Sequence, residues 1–250
     1  MRVTCIAFCS LALGLAVIGP CRADDKADVK AILDKVIAAH GGLDKLKQIQ
    51  SVHIKFNTTY PDGGTGDIDV VLQPPDRMRY VREEKGDKPI KEIRVLDGDK
   101  GWIQVDGKTE EANAEQLEEL QSRNHRYRMM AFFRTFTEPD LDLSPLPEAK
   151  VGDHAAVGFV VHAKGQADLS FSFDKETGHL LKVAGMVHRL KDGKEVPQEM
   201  YCSGYKDVGG GFMRPTKFKI VRSGKPGRDE EAVEYKISMD KQAADTFTKP

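Results

Sequence analysis

Strict alternation of apolar and polar residues constrains this chain more than any other feature of its sequence. Residues 52–56 carry apolar side chains at every second position, and residues 169–173 repeat the pattern. A period of two places alternate side chains on one face of a β-strand, whereas a helix needs apolar residues three or four apart. Clusters of glycine, proline and aspartate separate these segments and indicate tight turns. We therefore expect about eleven short antiparallel strands.

Two segments depart from this alternation and predict helices. Residues 27–39 place apolar side chains three and four positions apart, which is typical of an amphipathic helix. Asn113 with Gln116 three residues later forms a capping box, and we expect the helix that follows to span 113–136. Residues 137–146 contain two prolines and few apolar side chains, so we expect an exposed connection there.

The N-terminal residues 1–23 have the pattern of a secretory signal. Arg2 precedes an apolar run, and Cys21 and Ala23 place small residues where signal peptidase cleaves. An uncleaved N-terminal anchor is the alternative. Pro20 before Cys21 fits a lipid-attachment site poorly, so no lipid anchor at Cys21 is expected. We expect export across the inner membrane into the periplasm.

The mature chain, residues 24–250, is expected to be one domain. No linker or shift in composition divides it, and the pattern predicts a mainly β fold with helices (α+β), a single curved antiparallel sheet with helices on one side. Removal of the signal leaves Cys202 as the remaining cysteine, so no internal disulfide is expected.

The charge balance excludes nucleic acid as the main partner. The chain has 38 Lys+Arg and 39 Asp+Glu, for a net charge of −1, and shows no strongly basic character. Two basic clusters are more local. Each cluster is either a solvent-exposed surface of its helix or strand, or a docking surface for an anionic head group or an acidic partner. The first comprises Arg123, His125, Arg126 and Arg128, and the second comprises Arg77, Arg79 and Arg82.

The order of several motifs resembles that of a known family. The first helix ends in His40-Gly41-Gly42, and the strands that follow reach Gly101-Trp102. Residues 173–182 read as strand, turn, strand; residues 205–215 carry three consecutive glycines; residues 245–250 close the chain. This order of parts resembles the outer-membrane lipoprotein-sorting family (LolA/LolB-like) over nearly the whole mature chain.

The resemblance implies an incomplete β-barrel of about eleven antiparallel strands, lidded by helices. In that family the apolar concave face holds the acyl chains of lipoproteins crossing the periplasm, without a cofactor and without chemistry. The fold also serves paralogues whose ligands are unclear, including envelope-stress sensors. The arginine with which the best-known carriers bond their lid matches no single position here.

A barrel of this kind would be lined by apolar residues of the strands and closed by those of the second helix. The strand residues and the helix residues could equally belong to an ordinary hydrophobic core packed beneath helices. Since four large residues within five positions cannot share one helix face, some of the lid set are expected to point away from the local core. The candidate wall residues are Phe56, Leu72, Tyr80, Trp102, Phe171, Phe173 and Phe218, and the candidate lid residues are Met129, Met130, Phe132 and Phe133.

The sequence carries no convincing catalytic or metal-binding motif. Its seven histidines have no zinc-site spacing, although His154 and His162 could approach on a hairpin. It has neither a nucleophile elbow nor a phosphate-binding loop, and Cys202 reads as a buried thiol. We expect no enzyme activity, cofactor or metal, with hydrolase activity as the open alternative.

Two functions are consistent with these features of the sequence. The first is a monomeric periplasmic carrier or binding protein for an apolar ligand, most simply lipoprotein acyl chains or lipid. Its lid would be the 113–136 helix with the connection that follows. The second is an envelope partner-binding or sensor module that has the same fold and does not transport lipid.

Overall fold

The computed structural model describes residues 23–87, 89–189 and 194–250. The expected signal segment, apart from Ala23, and Cys21 therefore lie outside the described residues. Three α-helices occur in the described part of the chain: α1 (Ala23–Ala39), α2 (Leu43–Gln48) and α3 (Ala114–Ala131). Two 3-10 helices accompany them, at Phe133–Thr137 and at Ala244–Phe247.

Thirteen antiparallel strands form one large sheet. Its first half comprises β1 (Ser51–Thr59), β2 (Thr65–Gln73), β3 (Arg77–Lys85), β4 (Ile90–Asp97), β5 (Lys100–Val105) and β6 (Lys108–Glu111). Its second half comprises β7 (Leu141–Val151), β8 (His154–Ala163), β9 (Leu169–Asp174), β10 (Leu180–Arg189), β11 (Lys194–Ser203), β14 (Lys217–Arg222) and β15 (Lys225–Ser238). A small separate ribbon pairs β12 (Lys206–Asp207) with β13 (Met213–Arg214).

The strand order is β6-β5-β4-β3-β2-β1-β15-β14-β11-β10-β9-β8-β7. Neighbours along the chain mostly pair directly, as tight turns require, and the last strand β15 joins the two halves by pairing with β1. The two outer strands, β6 and β7, do not pair with each other, so the sheet remains open. The expected fold class, a curved antiparallel sheet lidded by helices, is confirmed.

Helices α1 and α3 lie against one face of the sheet, which we define as its inner face, and α2 packs against the 3-10 helix Phe133–Thr137. Helix α1 packs on β7 and β8, while α3 crosses β2, β4, β5 and β10. The main core lies between these helices and the strands. It includes Val36 of α1, Leu120 of α3 and Phe173 of β9, each with no exposed surface. The alternation seen in the sequence therefore corresponds to burial under helices.

The prediction of an exposed connection at residues 137–146 is wrong, because most of this segment forms the edge strand β7. Pro145 lies opposite Phe159 of β8, and β7 has no partner on its other side. Proline has no backbone N–H to donate, which disqualifies it from a central strand but not from an edge. The prolines that suggested a loop are thus compatible with this particular strand.

The second helix begins as expected. The Asn113 side chain accepts a hydrogen bond from the Gln116 backbone N–H, and the Gln116 side chain accepts one from Asn113, each at 2.9 Å. The helix is shorter than expected, since α3 ends at Ala131. Phe132 then adopts a non-helical conformation (φ −120°, ψ 76°), and the chain re-enters as a 3-10 helix. We call α3 and this 3-10 helix together the lid.

The break at Phe132 overturns the expectation that part of the Met/Phe set points away from the core. Met129, Phe132 and Phe133 are all at most 1% exposed, and Met130 is half-buried. Four large side chains cannot share the face of one continuous helix. The change of direction at Phe132 lets residues on both sides of it turn inward.

The outer face carries a smaller apolar cluster of its own. Phe247, from the C-terminal 3-10 helix, packs there with Val71, Ile93 and Val95, and Trp102 lies against this cluster. The Arg77 guanidinium lies 5.9 Å from the centre of the Phe247 ring. Within the described ranges, no helix has both the length and the apolar character needed to cross a membrane.

Substitution of Phe136 tests how tightly the lid is packed onto the sheet. Its ring centre lies 5.1 Å from that of Phe159 and 5.0 Å from that of Phe171. We expect Phe136→Ala to lower the free energy of unfolding by about 3–5 kcal/mol, because it leaves a cavity among rigid rings. Urea denaturation measures this change. The exposed Val233 provides the control, since Val233→Ala should change stability by less than about 0.5 kcal/mol.

Candidate ligand-binding cavity

A cavity lies between the lid helix α3 and the strands where the two halves of the sheet meet. Its floor is apolar, with Ile54 and Phe56 of β1, Met200 of β11 and Phe218 and Ile220 of β14. The remaining lining residues are Arg123, Arg126, Tyr127, Met130, Ala131, Leu180, Gln198, Pro215, Arg222, Arg228, Glu230 and Tyr235.

The cavity is narrow, because its own lining side chains fill most of it. The space inside it that a water molecule can occupy is about 40 Å³. Sites that hold small organic ligands usually enclose about 300–1,000 Å³. A lipid chain therefore needs the lid to move away from the floor before it can enter.

Charged side chains gather at one side of this cavity, and two of its arginines are paired. Arg123 of α3 donates a hydrogen bond from Nε to Glu119 at 2.9 Å, and Arg228 of β15 donates one to Glu230 at 2.5 Å. Burial alone would lower the pKa of Arg228, but Glu230 holds that pKa above its ordinary value. Both ion pairs keep the arginines charged in a partly dry environment.

The other two arginines of the cavity have no carboxylate partner in the described part of the chain. Arg222 donates from Nε to the neutral side-chain amide of Gln198 at 2.8 Å. Burial and the charge of Arg123 lower the pKa of Arg126 to about 10. Burial and the charge of Arg228 do the same for Arg222. Both remain protonated at neutral pH and are half-buried.

The paired charges continue under the lid. Glu119 of α3 reaches Arg94 of β4 at 3.4 Å, and Arg94 donates to Glu92 at 2.6 Å. Burial would raise the pKa of Glu119, but the charges of Arg123 and Arg94 hold it below its ordinary value. The Glu119–Arg94 pair ties the middle of α3 to the sheet beside the cavity, whereas the Arg94–Glu92 pair lies within β4.

The 3-10 part of the lid is held through Phe133. The His40 ring stacks on Phe133 with centres 3.8 Å apart, and the Arg214 guanidinium lies 5.1 Å from the same ring. Arg214 also donates a hydrogen bond to the His40 carbonyl oxygen at 3.0 Å. Burial, followed by the charge of Arg214, lowers the pKa of His40 from 6.5 to about 3. His40 is therefore neutral while Phe133 is in place.

Three of the residues expected to bind a ligand line the cavity. Phe56 and Phe218 form part of its floor, with ring centres 5.6 Å apart, and Met130 enters from α3. Their contact with a ligand stays a prediction. Two sequence signals were sufficient to place these residues at the cavity. They were the alternation in the strands, for the two phenylalanines, and the position in the second helix, for Met130.

The other expected residues lie elsewhere. Leu72, Met129 and Phe132 belong to the packed core. Tyr80 lies beneath the Arg123 guanidinium at 4.9 Å. The remaining side chains, Phe171, Phe173 and Phe133, are fully buried, and the rings of the first two fill the space around Phe136 and Phe159 rather than line the cavity.

Trp102 lies on the opposite face of the sheet from the cavity. It is the cross-strand neighbour of Val95, whose side chain points into the outer cluster beneath Phe247. Alternation along a strand separates two faces without indicating which one the helices cover. The placement of Trp102 on the wall was therefore wrong, because β5 has an apolar outer face that the C-terminal residues cover.

The two basic clusters of the sequence are both divided by the structure. Arg77 pairs with Asp97 beside the outer cluster, whereas Arg82 reaches Glu92 on the inner face, so the second cluster is not one stripe. In the first cluster Arg123 and Arg126 line the cavity, but Arg128 lies 3.5 Å from Glu138. His125 is buried, and burial together with Arg128 lowers its pKa to about 4.

Sequence reasoning missed the arginines that the second half of the sheet contributes. Arg222 follows Ile220 by two residues, in phase with the apolar face of β14. Arg228 lies opposite Ile220 on β15 and shares that face. A charged residue in phase with an apolar face was a usable signal, because such a residue must point inward and needs a partner.

One hydrogen-bonded chain has the order of groups found in serine hydrolases. Ser144 Oγ lies 2.8 Å from Nε2 of His162, and Nδ1 of His162 lies 2.9 Å from Asp168. It lies across the edge strands, with the His162 and Asp168 side chains 37% and 62% exposed. Water competes for these hydrogen bonds, so the chain lacks the sheltered environment that such catalysis needs.

The other candidate reactive groups have structural partners. His154 bonds to Asp174 at 2.7 Å and is not brought to His162 as a metal pair. In the described ranges no three His, Cys, Asp or Glu side chains are grouped so as to hold a metal ion. Cys202 is buried, and burial raises the pKa of its thiol, which disfavours the reactive thiolate.

Comparison with known proteins agrees with this architecture. No family model and no curated protein sequence matches the chain significantly. A LolA superfamily protein from Nitrosomonas europaea aligns over 89% of this chain and 98% of its own, with 14% identity and a TM-score of 0.54. A domain from Vibrio parahaemolyticus, named for outer membrane lipoprotein sorting, aligns over 89% and 97%, with 10% identity and a TM-score of 0.54.

Identities this low show a shared fold and nothing about the ligand. The resemblance to the LolA/LolB-like family that the motif order indicated is confirmed at the level of the fold.

The neutral, buried state of His40 makes stability depend on pH. Since the pKa of His40 is about 3 when folded and 6.5 when free, the unfolded chain binds an extra proton between those values. Stability therefore falls as the pH drops below 6.5, by about 2 kcal/mol from this group at pH 5. Urea unfolding at pH 7 and pH 5 measures the loss. His40→Gln should reduce the loss by that amount, and an unchanged loss would contradict the assignment.

Proposed function

We propose that this protein binds the acyl chain of a lipid or lipoprotein in the cell envelope and carries it without chemical change. The observation that supports this most directly is the apolar-floored cavity beneath the lid. Core packing alone would favour filling this space with side chains. A gap left beneath one helix is instead suited to receive a ligand once that helix moves.

The energetics of chain burial are sufficient for a carrier. Each buried methylene contributes about 0.8 kcal/mol, so a dozen contribute about 10 kcal/mol before the lid is opened. Moving the lid separates Met130 from Phe218 and the floor, and the acyl chain replaces the contacts that are lost. Burial of the chain thus offsets the cost of opening without any covalent bond.

The cellular location belongs to the same proposal. Residues 1–23 have the pattern of a secretory signal, and one neighbour in fold is named for outer membrane lipoprotein sorting. A periplasmic carrier, acting as a monomer, accounts for both. Envelope proteins that hand over or receive the ligand would be its partners.

The deciding experiment is native mass spectrometry of protein purified from a periplasm without detergent. We expect a stoichiometric lipid or lipoprotein, which extraction then identifies. A mass without ligand, together with no uptake of an acylated peptide on titration, contradicts the carrier and favours the partner-binding module.

Met130 offers a test of the cavity itself. Met130→Gln places an amide where the acyl chain would lie, and burial of an unpaired amide costs about 1–3 kcal/mol. We therefore expect the affinity for an acylated peptide to fall about tenfold or more. The same change at Met186, which is exposed on β10, is the matched control and should leave the affinity unchanged. Equal effects of the two changes would remove Met130 from the binding wall.

We also propose that the protein is not an enzyme. Because the His162–Asp168 pair is exposed to water, we expect no Ser144-dependent hydrolysis. The measurement is the rate of p-nitrophenyl butyrate hydrolysis by the protein and by its Ser144→Ala variant. Equal rates are expected, and a rate about tenfold higher with Ser144 present would establish the hydrolase alternative.

A further inference from the structure

Beneath α3, the arginines are matched with glutamates except at the cavity. Arg214, which lies beneath the 3-10 part of the lid, instead donates to the backbone carbonyls of His40 and Met213. Four arginines each contact a glutamate on this side of the sheet: Arg82 and Arg94 share Glu92, Arg123 contacts Glu119, and Arg228 contacts Glu230. Arg82 has a second carboxylate neighbour, Glu84, at 2.8 Å. Buried arginines are normally compensated in this way, because an unpaired buried charge is costly.

Arg126 and Arg222 break this pattern. Both line the same cavity, from α3 and from β14, on opposite sides of the space between lid and sheet. In the described ranges, neither contacts a carboxylate, and Arg222 has the Gln198 amide as its hydrogen-bond partner. The neighbouring arginines of the cavity, Arg123 and Arg228, are already paired with their glutamates.

The electrostatics of the two side chains reflect this imbalance. After burial itself, the charge of Arg123 lowers the pKa of Arg126, where Glu119 acts in the opposite direction, and the charge of Arg228 lowers the pKa of Arg222. Arg126 also acts on Arg222, so guanidinium groups repel one another beside an apolar floor. An anion between them would remove the repulsion and restore the pairing found elsewhere beneath α3.

We infer that the ligand of this cavity is an anionic amphiphile, whose acyl chain lies on the Phe56–Phe218 floor and whose phosphate or carboxylate head group bridges Arg126 and Arg222. This inference rests on the proposed function and adds the class of ligand. Guanidinium groups bind phosphate and carboxylate through paired N–H donors, which suits them to this role better than lysine. Their partial exposure places the head group where the cavity meets solvent.

The arrangement also explains why the two arginines come from different elements. Arg126 moves with α3, whereas Arg222 belongs to the sheet. When the lid opens, the two guanidinium groups separate, and the site for the head group is lost. When the lid closes over a bound chain, they come together around the anion. The head group therefore stabilises the closed, loaded state.

Two lipids that differ only by a phosphate test the inference. These are 1-myristoyl lysophosphatidic acid and 1-monomyristoylglycerol, which share the glycerol and the acyl chain. Binding is measured by displacement of a neutral apolar dye and checked by native mass spectrometry. We expect the phosphate-bearing lipid to bind about tenfold or more tightly than the uncharged one.

Substitution of the two arginines should remove this preference. Arg126→Gln and Arg222→Gln should each weaken lysophosphatidic acid about tenfold and leave monomyristoylglycerol unchanged. Lys219→Gln is the matched control, because Lys219 is an exposed cation on β14 whose neighbours Phe218 and Ile220 point to the cavity. It should change neither affinity. Thermal unfolding verifies that each variant is folded.

The unmodified protein supplies a second measurement if a variant fails to fold. Raising the ionic strength until the screening length falls from about 10 Å to about 3 Å should weaken the phosphate-bearing lipid several-fold. The uncharged lipid should not respond in this way.

The possible contrary results are distinguishable. Equal affinity for both lipids overturns the anionic head-group site and leaves the carrier proposal standing. Binding of neither lipid overturns both. If inorganic phosphate alone, tested in a separate titration, binds as tightly as the lysolipid, the arginines form a free anion site and the amphiphile inference is wrong.

Discussion

The structure depends on covering one face of an open thirteen-stranded sheet. A closed barrel buries its inner face within itself, whereas an open sheet must bury it against other elements. Here α1 covers the β7 and β8 side, and the lid covers the middle. The covering is tight around Phe136 and Phe171 and incomplete above Phe56 and Phe218. The cavity is thus the place where the lid meets the junction of the two halves of the sheet.

The two ends of the lid are attached by different interactions. At the 3-10 helix, Phe133 is held between the His40 ring and the Arg214 guanidinium in a fully buried cluster. In the middle of α3, Glu119 pairs with Arg94 of β4, and Arg123, which pairs with Glu119 within the helix, lies over the Tyr80 ring of β3. The packing beneath α3 is also less complete than around Phe133, because the cavity lies between α3 and its floor on β1, β11 and β14. This difference makes α3 the part of the lid that is better suited to move.

The sequence predicted the type of most elements and few of their exact limits. Strict alternation located eleven strands of the main sheet, and Asn113 with Gln116 located the start of α3. It missed β6 and β7. The prolines of β7 are acceptable because β7 is an edge strand, and edge position depends on which strands pair. The end of α3 was also missed, since helical continuation through Phe132 violates no local preference that the sequence shows.

What the sequence determined by itself is the two-residue period, the apolar face of each strand and the starts of the helices, because these depend on residues near one another along the chain. Only the tertiary structure decided which face of each strand the helices cover. That choice placed Trp102 outside and Phe218 inside. It also brought Arg126 of α3 beside Arg222 of β14, 96 positions later in the sequence. Such pairings depend on the strand order, which distant contacts establish.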